Sequence, residues 1–230
     1  MLVFSPVAEH AYTVILLHGF SSNAVEMHEK MHGFFPDWFA RIARFVYLTA
    51  PLRRITCYSN GWYRSWHDYF THYGDIGVAA EEVIDVDHLR QTRAFLHDVV
   101  RNESKAHPAV PVLLLGESQG GCCALDAFLT LELDALSGVI VSYAMRYSAT
   151  PMPSSQRDAP VWFFHSRADG VIPYALAKRS LEGLRAHSVV VDRLAHASVG
   201  RAFESFLHVA LTTLVGSTKK SRRATNDSVR

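Results

Sequence analysis

Six short apolar runs, rich in β-branched residues, recur along the chain: YTVILL (Tyr12 to Leu17), RFVYLT (Arg44 to Thr49), VPVLLL (Val110 to Leu115), SGVIVSY (Ser137 to Tyr143), PVWFFH (Pro160 to His165) and SVVVDR (Ser188 to Arg193). Hydrophobicity within them is nearly continuous rather than alternating, as strands covered on both faces require. Longer segments between the runs carry apolar residues at helical spacing. In Ala80 to Val100, the residues Val83, Val86, Leu89, Leu96 and Val100 share one face while most charges fall elsewhere. The stretch from Gln119 to Leu133 follows the third run, and Ser22 to Arg44 reads as a helix interrupted near Gly33 and Pro36. Pro173 stands near the start of a helix running to Ala186, and Ser198 is a candidate cap for a last helix ending at Val215.

Strands alternating with helices predict an α/β fold: a mostly parallel central sheet with helices on both faces. In such sheets functional groups gather beyond the carboxyl ends of the strands. The segment from Ala50 to Ala79 is the least regular and the longest connection, which marks it for function. Residues 1–215 read as one domain, since 230 residues suit one large core better than two small ones.

Composition narrows the classes. A formal net charge of +1 offers no global attraction to nucleic acid. Three cysteines, Cys57, Cys122 and Cys123, make no even disulfide framework, and the adjacent pair reads as small packing residues in a helix. A reduced, cytoplasmic compartment is the expectation. The first twenty residues lack a basic start and are interrupted by Pro6, Glu9 and His10, so neither a signal peptide nor a membrane span is expected. Residues 216–230 carry five basic side chains against one acidic, and the expectation is a solvated, disordered tail. Transient contact with an anionic membrane surface is the other reading of that tail.

The chemistry is concentrated in GESQG, residues 116 to 120, which fits G-x-S-x-G between an apolar strand and a helix. That pattern puts Ser118 on a sharp strand-to-helix turn, where bulky flanking residues would clash. A serine hydroxyl needs a base to remove its proton and an acid to orient that base, and in this arrangement the chain order is Ser, acid, His. Asp169, in HSRADGVIPY, lies just beyond a strand and before a helix. His196, in DRLAHASVG, lies just beyond the next strand. Among the alternatives, His165 precedes the acid, His187 precedes its strand, Asp158 precedes its strand, and Asp192 lies within one. A tetrahedral intermediate also needs oxyanion donors. The backbone N–H of Gln119, directly after the serine, supplies one, and that of Phe20, in LLHGFSS after the first run, supplies the other.

Four blocks resemble the acyl-protein thioesterase and carboxylesterase family, the phospholipase/carboxylesterase group of α/β-hydrolases: LLHGF, TAPLRRIT followed by GWYRSWHDYF, GESQGG, and HSRADGVIP. The resemblance runs from about Val14 to about Val215. It implies an α/β-hydrolase fold and cofactor-free hydrolysis of thioesters or esters of acyl chains, including lysophospholipids and palmitoyl-cysteine on proteins. No metal or cofactor is implied, and the partner is an acylated small molecule or acylated protein. It maps the triad to Ser118, Asp169 and His196, and the oxyanion donors to Phe20 and Gln119. The chain departs from it in LHGFSS for LHGLGD, GESQGG for GFSQGG, HSRAD for HG..D, and in lacking a glycine shortly before His196.

Two features stay open. The aromatics of residues 60–74, Trp62, Tyr63, Trp66, Tyr69, Phe70 and Tyr73, either anchor a long loop or wall an acyl channel, with Trp62 and Trp66 as candidate substrate contacts. Glu117 either contacts substrate and acts electrostatically on the histidine, or is satisfied by neighbouring backbone donors. Short-chain carboxylesterase or lysophospholipase activity is the alternative on the same fold, and a non-catalytic binding module is the alternative of another class.

Overall fold

The computed structural model describes residues 1–71, 80–132, 134–152 and 160–227, the last eleven as helix backbone. Seven strands form one sheet: β1 (Leu2–Phe4), β2 (Tyr12–Leu17), β3 (Ala43–Leu48), β6 (Val112–Glu117), β7 (Leu136–Ser142), β8 (Val161–Ser166) and β9 (Ala186–Val191), in the order β1-β3-β2-β6-β7-β8-β9. All neighbours are parallel except β1, which runs antiparallel to β3. The remaining strands, β4 (Leu52–Ile55) and β5 (Gly61–Arg64), pair as a separate antiparallel hairpin inside the long connection. This is the expected α/β architecture.

Side-chain alternation along β2 shows how the apolar runs build two cores. Val14 and Leu16 face a layer containing Met27 and Met31 of α1 (Ala24–Met31), Phe39 of α2 (Asp37–Ala40), and Phe203, Phe206 and Leu207 of α6 (Arg201–Asp227). Ile15 and Leu17 face the other layer, with Leu89, Leu96 and Val100 of α3 (Val86–Ala106), Cys122 and Leu125 of α4 (Ser118–Thr130), and Leu176 of α5 (Tyr174–Ser180). Both faces are apolar because both are covered.

Several expectations shift. The last strand lies at Ala186–Val191, two residues earlier than predicted, and at the sheet edge, where Val189 is exposed. His187 therefore sits within that strand, stacked on Trp162 at 4.5 Å between ring centroids, and Asp192 stands just beyond it, paired with Arg167 at 3.0 Å. The helix expected from Ala80 begins at Val86 because Asp85 caps it, accepting from the His88 N–H; Val83 stays outside and exposed. The helix after Pro173 ends at Ser180, followed by Gly183 with φ +84°, and the last helix starts at Arg201 without a Ser198 cap. The interruption near Gly33 and Pro36 is present, and Asn23 caps α1 by accepting from Val25 and Glu26.

The tail expected to be disordered continues α6 as far as Asp227. Helix growth needs no new nucleus once an anchored segment precedes it, and Lys, Arg and Ala extend a helix readily. Tyr73, Gly74 and Asp158 lie outside the described residues.

One buried ion pair ties α3 to α4. Arg93 donates from Nε and Nη2 to the Asp126 carboxylate at 2.8 and 2.7 Å, and Thr150 Oγ1 donates to the same carboxylate at 2.6 Å. The Asp126 side chain is wholly buried. Arg93→Met leaves that carboxylate without its charged partner, and urea unfolding at pH 7 is expected to lose about 3–5 kcal/mol. A loss under about 1 kcal/mol would contradict this.

Candidate active site

Ser118 adopts φ +53°, in the left-handed region that L-residues rarely occupy. The turn is possible because its neighbours are glycines. A Cβ on Gly116 would collide with the Gly120 carbonyl, and a Cβ on Gly120 would collide with the carbonyls of Leu17 and His18. Helix α4 thus starts directly against β2 and β6, with Ser118 raised at the carboxyl edge of the sheet. The order of strands reverses at this point, since the chain leaves β2 for β3 on one side and later returns to β6 on the other.

The two other loops at this edge bring their side chains to the serine. His196 Nε2 lies 2.8 Å from Ser118 Oγ, and His196 Nδ1 lies 2.8 and 3.0 Å from the two oxygens of Asp169. Asp169 Oδ1 also accepts from the backbone N–H groups of Val171 and Ile172, at 2.8 and 3.0 Å, so the carboxylate is held by its own loop before it meets the histidine. With Nδ1–H donated to Asp169, Nε2 is left as the acceptor for the serine hydroxyl, which is the tautomer a general base needs.

The histidine loop is tied down by side chains of other elements. Ser166 Oγ accepts from the Leu194 and Ala168 N–H groups, both at 3.1 Å, and so joins the acid loop to the histidine loop. Tyr143 donates its hydroxyl to the Ser198 carbonyl at 2.5 Å, and its ring lies 5.6 Å from that of His196. Beneath Asp169 the buried His165 turns Nδ1 to the Ser166 backbone, 2.9 Å from its nitrogen and 3.0 Å from its carbonyl oxygen, and its Nε2 lies 3.7 Å from the Asp169 carboxylate. Burial holds the His165 imidazole below its usual range.

The loop after β2 passes close to the serine: a Cβ on Gly19 would stand 3.4 Å from that of Ser118. Its conformation is braced from below. His18 is fully buried, accepts from the Ala50 N–H at 3.0 Å on Nε2, and therefore donates from Nδ1 to the Gly19 carbonyl at 2.6 Å. Trp66 Nε1 donates to the His18 carbonyl at 2.8 Å. The Gln119 side chain turns inward, accepting from Trp66 N at 3.0 Å and donating to the His67 carbonyl at 3.1 Å. Gln119 thus anchors the loop before the cleft with its side chain, while its backbone N–H stands at the first turn of α4, where helix N–H groups have no intrahelical acceptor.

Comparison with known proteins decides the lineage. The phospholipase/carboxylesterase family matches residues 1–212. The chain belongs to that family. An acyl-protein thioesterase 1 from Neurospora crassa is 26% identical over 197 residues, covering 80% of this chain and 77% of the relative. Among solved structures, acyl-protein thioesterase 2 from Zea mays superimposes with a TM-score of 0.74 at 16% identity, covering 93% of this chain and 98% of the other. SOBER1 from Arabidopsis thaliana gives 0.72 at 20% identity, covering 87% and 99%. These likenesses establish the α/β-hydrolase fold.

For a phospholipase/carboxylesterase chain, the cleft above Ser118 has two characters. It encloses about 430 Å³. Phe20, Tyr58, Tyr69, Tyr147, Val171 and Ile172 supply an apolar wall, whereas Glu26, Lys30, Glu82 and Glu117 bring charge. Among the described aromatics of that loop, Tyr69 reaches the cleft directly, and Tyr63 packs behind Phe20. The expected substrate contacts at Trp62 and Trp66 do not hold. Trp66 is 1% exposed and serves as the brace under His18, and Trp62 is 62% exposed on β5 with Arg54 over its ring. The period-2 alternation of a strand and the reach of an indole N–H explain this division better than a channel does. Tyr58, Tyr147, Val171 and Lys30 were not singled out by sequence; only Val171, following the acid, carried a positional hint.

Glu117 lines the cleft, but it is not satisfied by backbone donors. Lys30 Nζ straddles its carboxylate at 2.6 and 2.7 Å. Cys122 and Cys123 are buried packing residues, and burial pushes the Cys122 thiol up to about 12, so it stays protonated. Among the described residues, no group of three or more His, Cys, Asp and Glu side chains is placed to hold a metal ion. No helix among them is long and apolar enough to cross a membrane.

His67, buried below the cleft, gives the domain a pH signature. Its Nδ1 donates to the Asp68 carbonyl at 3.1 Å and its Nε2 accepts from the Tyr147 hydroxyl at 2.8 Å. Burial holds its imidazole down at about 4, against an ordinary 6.5. Between those values the unfolded chain binds more protons than the folded one. Stability is therefore complete above about pH 6.5 and falls, by about 3 kcal/mol from this group, as pH drops to 4. Urea unfolding at pH 7 and pH 4.5 is expected to show His67→Gln with a distinctly smaller pH dependence than the parent. Equal dependence in both proteins would refute the assignment.

Proposed function

We propose that this chain is a serine hydrolase that cleaves thioester or ester bonds of acyl chains through an acyl-Ser118 intermediate. The observation that carries the reading is the unbroken relay from Asp169 through His196 to a serine in strained left-handed conformation. Strain of this kind, about 1–3 kcal/mol, persists only where the surroundings over-determine it, and it gathers at functional sites.

The proposed steps use these groups. Ser118 Oγ attacks the carbonyl carbon as His196 Nε2 takes its proton, and Asp169 stabilises the imidazolium from the Nδ1 side. The backbone N–H groups of Phe20 and Gln119 receive the oxyanion, each worth roughly 3 kcal/mol by analogy with single-donor deletions. Collapse expels the thiol or alcohol, which takes the proton from His196 Nε2. A water then attacks the acyl-enzyme, His196 removes its proton, and the carboxylic acid leaves while Ser118 regains its hydrogen. The acyl chain lies along Phe20, Tyr58, Tyr69, Tyr147, Val171 and Ile172. The N. crassa relative named acyl-protein thioesterase supports a thioester, on a small molecule or a protein, as the natural bond. A cytoplasmic location and transient contact of the basic tail with a membrane surface remain part of this reading.

Two measurements test it. A fluorophosphonate probe is expected to label Ser118. Ser118→Ala is expected to lower kcat on a short acyl ester by about 10⁶-fold, and Asp169→Asn by about 10⁴-fold, without loss of fold. Retained turnover in Ser118→Ala would sink the assignment of Ser118, and no serine adduct in the parent would favour a binding module instead. Comparing a palmitoyl thioester with a short oxyester separates thioesterase from short-chain carboxylesterase action; faster turnover of the oxyester would assign the latter.

A further inference from the structure

The charge at Glu117 has a partner from a distant part of the chain. Lys30 lies near the end of α1, 87 residues before Glu117, and its ammonium straddles the Glu117 carboxylate. The same ammonium donates to the Ala197 carbonyl at 2.7 Å. Ala197 is the residue directly after His196, and it too is held in the left-handed region, at φ +58°. One ammonium thus joins α1, the end of β6 beside the nucleophile, and the histidine loop. The Glu117 side chain is only 8% exposed, so the pair is not an ordinary solvated surface contact.

We propose that Lys30 is a positioning residue for acyl transfer: charge-balanced by Glu117, it holds the strained Ala197 carbonyl and so keeps His196 aligned on Ser118. This rests on the hydrolase reading above. The loop that carries His196 is held by struts from other elements. Ser166 takes the Leu194 N–H, Lys30 the Ala197 carbonyl, and Tyr143 the Ser198 carbonyl. Of the three, only Lys30 brings a net charge, and only Lys30 needs a counterion to sit beside the imidazole. Glu117 is that counterion. Its place next to the nucleophile follows from the need to neutralise Lys30 without entering the Asp169–His196 relay.

The groups facing His196 make the charge balance readable. Asp169 contacts Nδ1, Tyr143 lies against the ring, His165 stands behind Asp169, Glu117 and Lys30 adjoin the Ser118 side, and Glu26 and Glu82 line the outer cleft. Removing Lys30 leaves Glu117 as a bare carboxylate that favours the protonated, inactive imidazole. Removing Glu117 leaves a bare ammonium that disfavours it.

The experiment compares the parent with Lys30→Met, Glu117→Gln and the double variant. Each is checked for fold by circular dichroism and for nucleophile competence by fluorophosphonate labelling, and each is then assayed on a short acyl ester across pH. Lys30→Met is expected to lower kcat about tenfold with KM within about twofold, since misplacing a reacting group by a fraction of an ångström costs rate rather than binding. Its acidic limb is expected to move up by about half a pH unit, and that of Glu117→Gln to move down by a similar amount. In the double variant the limb returns towards the parent position while kcat stays low, because the carbonyl has still lost its donor. If the parent is labelled and active but folded Lys30→Met keeps kcat within about twofold, the positioning role falls. It falls equally if the two single variants shift the limb in the same direction. A parent that takes no label at Ser118 overturns the hydrolase reading itself and this inference with it.

Discussion

The backbone at Ser118 can turn from strand to helix only if nothing but hydrogen projects from Gly116 and Gly120, because the carbonyls of Leu17, His18 and Gly120 occupy the space a methyl group would need. Everything at the site is referred to this close approach. It sets α4 against β2, which brings the loop after β2 within van der Waals reach of the serine and points the Gln119 side chain down into the loop that carries Trp66. A buried layer of hydrogen bonds among His18, Trp66, Ser65, His67 and Gln119 then keeps that arrangement from relaxing. Such a network is effective because each buried polar group finds a partner, and an unpartnered one would cost about as much as the bond is worth.

The histidine side of the site is built differently. Its loop follows an edge strand, lies between elements rather than beneath them, and carries its own left-handed residue at Ala197. Leu194 and Val199 pack on the core, and polar struts hold the backbone around His196. Ser166, Tyr143 and Lys30 reach it from three different elements. The Glu117 carboxylate adjoins Ser118 with its charge already answered by Lys30.

Much of this was legible without coordinates, for a definite reason. Chain order and strand edge single out Ser118, Asp169 and His196 as candidates, since each follows a strand and the apolar runs mark where strands end; the structure brings the three side chains together. Errors came where side-chain direction or partner choice mattered. Trp66 looked like a substrate contact because it sits in an aromatic loop, yet it faces inward as a hydrogen-bond donor. The edge strand was misplaced by two residues because valines occur on an exposed edge as readily as in a covered run. Lys30 carried no signal at all, since nothing local distinguishes a lysine that reaches across the fold from one that reaches into water.

The sequence by itself determined the parallel sheet, the turn at Ser118 and the order in which Ser118, Asp169 and His196 follow their strands, because periodicity, glycine placement and strand ends are local properties of the chain. Only the tertiary structure decided which loop residues face the cleft, which brace it from below, and that Glu117 answers Lys30. Those outcomes depend on contacts between segments tens of residues apart, whose directions are set by how the helices pack on the sheet and not by any pattern within either segment.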